Sequence, residues 1–419
     1  MSSCKPYDDV AWAIRTQIWQ DWPELLRTDG DIYNDIGVIL SKQLKDLDWT
    51  AFGFLSTGGF NICFKMEFAN DSGAIIRFPV PDAVMLPKEK VRNEVSVMKF
   101  ILDKTSSTIP IPVPSITRFA DAKESPSNLG PFIIMIYIRH THSMADFLER
   151  PNRPGGQQPV LNPDLEPARL QSLYGDLARI VLSLSKLEND IWDVLHRPLS
   201  YSMNEIRKEA NVPLAINPEQ LADHFRRRFV ARFLFRKIVR DQEQRKQWIH
   251  HDDGPFPLWL DWEFSYSAPA EFSYAPPWWL LLRKPEDWPG GLDDWCIEYK
   301  KALRVFLSAM QRCEDELIQK KLLRESERLS FRMLDSWRTG DFWIMYAARN
   351  NFPFDAIYWK RIDRRLHLLE HEVKELMEEW VSQMVRDRDT WQLSWDPDEY
   401  TLEWIEKLKM KRAGEEEEP

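Results

Sequence analysis

Gly58-Gly59-Phe60-Asn61 lies between two apolar β-type runs, one ending at Leu55 and one starting at Ile62. With no side chain on the glycines, backbone N–H groups at such a turn can approach phosphate oxygens closely. Arg77 sits inside the apolar run Ile75-Ile76-Arg77-Phe78-Pro79, and Glu94 lies on the inner stripe of the helical segment that follows. A strand cation held by a helix carboxylate can fix and neutralise a bound phosphate. Further on, Asp261 closes the run Leu258-Trp259-Leu260 and is flanked by Trp262 and Phe264. A carboxylate against such a dry wall suits a hard divalent metal. Each feature also has a plainer reading. The turn can be a hairpin corner, Arg77 and Glu94 can be solvated charges, and Asp261 can be a turn acid or a helix N-cap.

The elements that would position these residues follow from spacing. Val10, Ile14, Ile18, Trp22 and Leu25 predict an amphipathic helix over 9–28, and a second helix covers about 32–46. Short β-type runs then occupy 52–55, 62–68 and 74–78. Asn70-Asp71-Ser72-Gly73 makes the last two a hairpin, and Pro79 and Pro81 stop it. Val91, Val95, Met98, Ile101 and Leu102 predict a helix over 87–104. Pro110, Pro112 and Pro114 mark an extended crossing before strands at 116–119 and 132–138. Beyond 138 the pattern is helix or loop, with a Pro- and Gly-rich surface insertion at 151–167. Helical periodicity covers 167–188, 217–247, 292–322, 324–339 and 356–388, and residues 414–418 read as a solvated acidic tail.

A chain of 419 residues can bury a large core in two lobes. A formal net charge of -10 argues against general nucleic-acid binding. Four widely spaced cysteines form no metal or disulfide pattern, which points to a reducing interior. No apolar run is long enough to span a bilayer and the first residues carry charges, so the expected location is cytoplasmic. The 19 tryptophans fit aromatic packing in a large helical lobe. One segment, 224–240, places Arg226, Arg227, Arg228, Arg232, Arg236, Lys237 and Arg240 opposite Phe225, Phe229 and Phe233. Such a face can bind membrane or nucleic acid, but a lobe helix with its aromatics buried is the preferred reading.

Taken in series, the motifs resemble the aminoglycoside phosphotransferase family, in its filamentous-fungal branch. The likeness runs from about residue 8 to 360. It includes Gly58-Gly59-Phe60-Asn61, Ile76-Arg77-Phe78-Pro79, Lys90-Val91-Arg92-Asn93-Glu94-Val95, Ile109-Pro110-Ile111-Pro112-Val113-Pro114, Asp261-Trp262-Glu263-Phe264 and Pro276-Pro277-Trp278-Trp279. The resemblance implies an α+β, two-lobed protein-kinase-like fold with a small β-rich N-lobe and a larger, mainly α-helical C-lobe. It implies ATP and Mg²⁺ as cofactors and γ-phosphate transfer to a small-molecule hydroxyl. Gly58, Gly59, Phe60 and Asn61 would cover the phosphates, and Arg77 and Glu94 would form the ion pair. Met135 and Ile138 would bound the adenine hinge, and Asp261 would hold magnesium. The corresponding division is a helical extension at 1–46, an N-lobe at 47–138, a C-lobe at 139–400 and a terminal helix end with acidic tail at 401–419.

One part of the pattern is missing. An Asp-x-x-x-x-Asn loop should precede the metal-binding Asp, yet Gly254-Pro255-Phe256-Pro257-Leu258-Trp259 runs straight into Leu260-Asp261. About twenty residues, with the catalytic base and second metal ligand, read as deleted. Asp252 and Asp253 do not replace them, because the positions five further on are Pro257 and Leu258 rather than Asn. No catalytic base is therefore assigned. The chain is expected to be a phosphotransferase relative with impaired transfer. A pseudokinase-like nucleotide- or ligand-binding protein and a sequence lacking one exon of an active enzyme stay open as alternatives. Expected partners are a nucleotide and an unknown small molecule, with neither nucleic acid nor membrane.

Overall fold

The computed structural model describes residues 6–42, 48–83, 86–105, 111–140, 144–151, 158–187, 222–223, 225–226, 229, 273–349, 371–387 and 399–417. Asp252, Asp253, the Trp259-Leu260 junction and Asp261 lie outside them, so the expected loop deletion does too.

Two helices, α1 (Pro6–Thr28) and α2 (Gly30–Ser41), precede the sheet. Asp29 caps α2, its Oδ1 accepting from the N–H groups of Asp31 and Ile32 at 3.1 Å each. The sheet strands are β1 (Trp49–Thr57), β2 (Asn61–Phe68), β3 (Gly73–Pro79), β4 (Ile116–Ala120) and β5 (Phe132–Ile136). They pair antiparallel in the order β1-β2-β3-β5-β4. At the β2–β3 turn, Asp71 takes a left-handed φ of 65° and Asn70 Oδ1 accepts from the Ser72 N–H at 3.0 Å. Helix α3 (Pro87–Thr105) is inserted between β3 and β4. Val91, Val95, Met98 and Ile101 face the core as expected, whereas Leu102 is exposed.

Strand alternation sends side chains to two different cores. Ile62, Phe64, Met66, Ala74, Ile76, Phe78, Phe132 and Ile134 meet Trp22 and Leu26 of α1 and Ile36 and Leu40 of α2. Ile133 and Met135 instead meet Val91, Val95 and Met98 of α3, with Ile75 packed beside them. The sheet is thus covered on both faces.

After β5 the described chain is helical: α4 (Met144–Leu148), α5 (Pro167–Leu184), α6 (Gly291–Gln319), α7 (Leu329–Thr339), α8 (Asp341–Arg349), α9 (His371–Asp387) and α10 (Glu399–Glu417). The aromatic packing expected of this region centres on Trp295. It stacks on Tyr299 at 4.3 Å between centroids and meets Trp343 edge-on at 5.7 Å. The segment 324–339, expected as one helix, divides into a short 3-10 turn and α7. The cause is tertiary: Glu314, buried on α6, accepts from the N–H groups of Leu329 and Ser330 at 2.8 and 2.9 Å and starts α7 there. Of the basic segment, Phe225 is buried and edge-on to Trp380, while Arg226 makes a two-armed pair with Glu378 at 2.7 and 2.9 Å. These two residues fit the lobe-helix reading.

The last helix, α10, returns to the small lobe. Trp404 and Leu408 join the core formed by the outer face of the sheet with α1 and α2.

Candidate functional site

The β1–β2 turn is held at both ends. Gly58 N–H donates to Asn61 O at 2.8 Å, and Phe60 O accepts from Val80 N–H at 2.8 Å. Neither Gly58 nor Gly59 has a positive φ. A Cβ at Gly59 would meet nothing within 4 Å, and one at Gly58 only Asn61 O at 3.8 Å. Neither the backbone conformation nor the packing demands glycine here. What these residues keep is open space beside the turn's backbone, as a phosphate cradle requires.

Arg77 is paired with Cys63 on β2 and Ile133 on β5. By alternation it shares its face with Ile75, toward α3. Its Nη2 forms an ion pair with Glu94 Oε1, and the two side chains are 19% and 1% exposed. Arg77 Nε is buried with no hydrogen-bond partner. The exposed part of the guanidinium is a donor suited to an anion.

Sequence reasoning placed Lys90 inside a motif without giving it a role. In the structure its side chain is 1% exposed, and Nζ donates to Asn61 Oδ1 at 2.8 Å. The same Nζ lies 3.6 Å from Glu94 Oε2, an ionic contact longer than a hydrogen bond. Lys90 and Glu94 are spaced i,i+4 on α3, beside the buried Val91 and Val95. That spacing was the available signal for Lys90. Asn61, Lys90, Glu94 and Arg77 consequently form one connected polar network from the turn through α3 to β3. Such a buried network is rigid only while its partners are in place.

Met135 lies in the α3-facing core, cross-strand from Ile75 and Ile116. Ile138, just past the end of β5, is 47% exposed, and its carbonyl lies 2.9 Å from His140 Nδ1. Between them Tyr137 N–H donates to Gly73 O at 2.8 Å and its ring receives Lys65 Nζ at 4.8 Å. The structure therefore brings Gly58, Gly59, Phe60, Asn61, Arg77 and Glu94 together. Met135 and Ile138 sit at the end of the same sheet, one buried and one exposed. The proposed metal ligand Asp261 lies outside the described residues. Among the described residues no group of three or more His, Cys, Asp or Glu is arranged to hold a metal. The residues present fit an anionic phosphate through the open turn and the partly exposed Arg77 guanidinium.

A five-stranded antiparallel sheet whose third strand presents a cation to a glutamate on the next helix, followed by a larger helical region, is the α+β arrangement expected of a two-lobed protein-kinase-like fold. No family model matches the chain, and no curated protein matches it. Among solved structures it is similar to a GDP complex of a mutant aminoglycoside 2'-phosphotransferase-IIIa, at 11% identity and a TM-score of 0.34, over 90% of this chain and 98% of that one. A GDP and kanamycin complex of APH(2")-IIia is similar at 14% identity and a TM-score of 0.32, over 83% and 98% of the two chains. Likeness at this level carries no residue-by-residue correspondence.

Proposed function

We propose that this chain is an aminoglycoside-phosphotransferase-like protein that binds a nucleoside triphosphate between its glycine turn and Arg77, with phosphoryl transfer impaired by the missing Asp/Asn loop. The observation that carries the reading is the Arg77–Glu94 pair, assembled behind a turn left open at Gly58 and Gly59. In this reading the backbone N–H groups of the turn and the Arg77 guanidinium bind phosphate oxygens. Glu94 holds the guanidinium in place. Lys90 ties Glu94 to Asn61 and so sets the turn's height above β3. Backbone groups of residues 135–138 orient the base, and Asp261 is the residue available for Mg²⁺. A bound Mg²⁺–ATP would supply the transferable γ-phosphoryl group, and the acceptor is a small-molecule hydroxyl.

Transfer also needs a base for that hydroxyl, and none is assigned in the sequence. General acid–base help amounts to about 10²–10⁴-fold, and loss of a second metal ligand lowers the rate further. For this chain, read as a cytoplasmic member of the filamentous-fungal branch that lacks the loop, binding without appreciable turnover is the expected behaviour. The net charge of -10 and the buried or paired state of Phe225 and Arg226 support small-molecule rather than nucleic-acid or membrane partners.

Titration of the full chain with ATP and with GTP, each with and without Mg²⁺, tests the binding half, alongside Arg77→Ala. Saturable binding lost in Arg77→Ala is expected, and no binding by the wild type would sink the reading. Release or transfer of labelled γ-phosphate tests the chemical half. Steady turnover abolished by Asp261→Ala would establish an active phosphotransferase and overturn the impaired reading.

A further inference from the structure

Both ends of the chain reach the connections that carry the candidate site. On α1, Trp19 Nε1 donates to Gly58 O at 3.3 Å, inside the glycine turn. On α10, Thr401 is fully buried and its Oγ1 accepts from the Asp82 N–H at 2.8 Å. The neighbouring Tyr400 hydroxyl donates to Leu129 O at 2.6 Å and lies 3.2 Å from Pro79 O. Residues 80–83 follow β3, which carries Arg77, in the connector to α3, which carries Glu94. Its Val80 N–H donates in turn to Phe60 O of the glycine turn at 2.8 Å. Asp82, buried and with a left-handed φ of 60°, needs an acceptor for its N–H, and the distant Thr401 supplies one. The two terminal helices lean on each other through Trp22 and Trp404, both buried, edge-on at 5.8 Å.

We infer that α1 and α10 form a brace in which Trp19, Tyr400 and Thr401 are positioning residues. Trp19 anchors one side of the glycine turn. Thr401 anchors the β3–α3 connector and Tyr400 the end of β3, and the connector anchors the other side through Val80. The brace thereby fixes the turn and the spacing of Arg77 to Glu94 from the sheet face opposite the site. Packing alone would make Tyr400 and Thr401 interchangeable with any well-fitting side chains. The Thr401 hydroxyl aimed at the connector's Asp82 N–H, and the Tyr400 hydroxyl set between the Leu129 and Pro79 carbonyls, argue otherwise. Gly130 belongs to the same device: its φ is +97°, and a Cβ there would come within 2.4 Å of the Tyr400 ring.

The effect on the polar network follows from this geometry, while the effect on nucleotide affinity rests on the function proposed above. The test compares Thr401→Val, which keeps shape and loses the acceptor, with Leu408→Ala, which trims the same helix away from the connector. Hydrogen exchange is read on peptides covering 56–63 and 79–95 in the full chain, and Mg²⁺–ATP affinity is read in parallel. Thr401→Val is expected to speed exchange in those peptides by about tenfold, as the loss of one buried hydrogen bond would. Thr401→Ser should restore the wild-type rate. Leu408→Ala should lower the melting temperature without selecting those peptides. Unchanged exchange in Thr401→Val, or equal acceleration in Leu408→Ala at matched melting temperature, would overturn the brace. If the wild type binds no nucleotide, the function proposed above fails and the exchange comparison still decides the brace. Should Thr401→Val not fold, Tyr400→Phe and Trp19→Phe carry the same comparison.

Discussion

Gly59 and Lys90 separate two kinds of demand on a residue. Nothing in the fold requires glycine at 59, since its φ is not positive and a Cβ would meet no atom within 4 Å. Gly59→Ala should therefore leave stability unchanged or raise it by about 0.4–1 kcal/mol through the unfolded state. Nucleotide affinity should fall about tenfold, the equivalent of one lost backbone contact to phosphate. Thermal melts with a binding titration check both halves, and an Ala variant that binds like wild type would remove the turn from the site. Lys90 is the reverse case, a buried cation on which the fold itself depends. Lys90→Met should cost about 1–3 kcal/mol by leaving the buried Asn61 Oδ1 without this donor and Glu94 with one cation fewer. A double-mutant cycle with Glu94→Gln should give a coupling of about 0.5–3 kcal/mol in urea unfolding, and additive losses would contradict the network. The pairing of Arg77 with Glu94 was legible in the sequence because an apolar strand and an apolar helical stripe each carry one lone charge. Lys90 was hidden because lysine on a helix is usually solvated, and its partner Asn61 at the start of β2 is distant in sequence.

Elements were legible where periodicity is local and less so where a distant group sets a boundary. The β2–β3 hairpin and α3 followed from alternation, a turn tetrad and a stripe of valines. The start of α7 did not, because its cap is a carboxylate on α6. A similar link between elements joins the segment before α6 to α8: Tyr346 OH donates to Glu286 Oε2 at 2.7 Å. Burial raises the Glu286 carboxyl above its ordinary range, and the Tyr346 bond opposes this only in part. A group with a raised folded pKa binds protons more readily in the folded state. Its stabilising contribution is present in full below the unfolded pKa, about 4.3, and is lost as pH rises through the folded value. Glu286→Gln keeps an acceptor for Tyr346 and removes the titration. The variant's melting temperature should gain on the wild type as pH rises from about 4 to 7, and parallel curves would show that Glu286 titrates normally.

At the scale of the whole molecule, one face of the small lobe's sheet is covered by three helices, two that precede it and one far along the chain. That face carries Phe64, Phe78 and Ile134, which α1, α2 and α10 remove from water. The sequence displayed an apolar stripe on α1 and two-sided apolar strands. It gave no local sign that Trp404 would be what Trp22 meets, because periodicity specifies that a face is buried and not what buries it. If the ends close the lobe together, either tryptophan should be worth a large buried aromatic, and their losses should not add. Trp22→Ala and Trp404→Ala should each cost about 3–5 kcal/mol. The double variant should fall short of the sum by about 0.5–1.5 kcal/mol, the worth of an edge-on aromatic pair. Urea unfolding read on the small lobe measures this, with Trp337→Ala in the helical region as a control that should leave the coupling at zero. Strict additivity of Trp22 and Trp404 would mean that the two ends are buried independently. The lobe would then be covered by two separate helical caps, and anchorage of the glycine turn from α1 would be uncoupled from anchorage of the β3–α3 connector by α10.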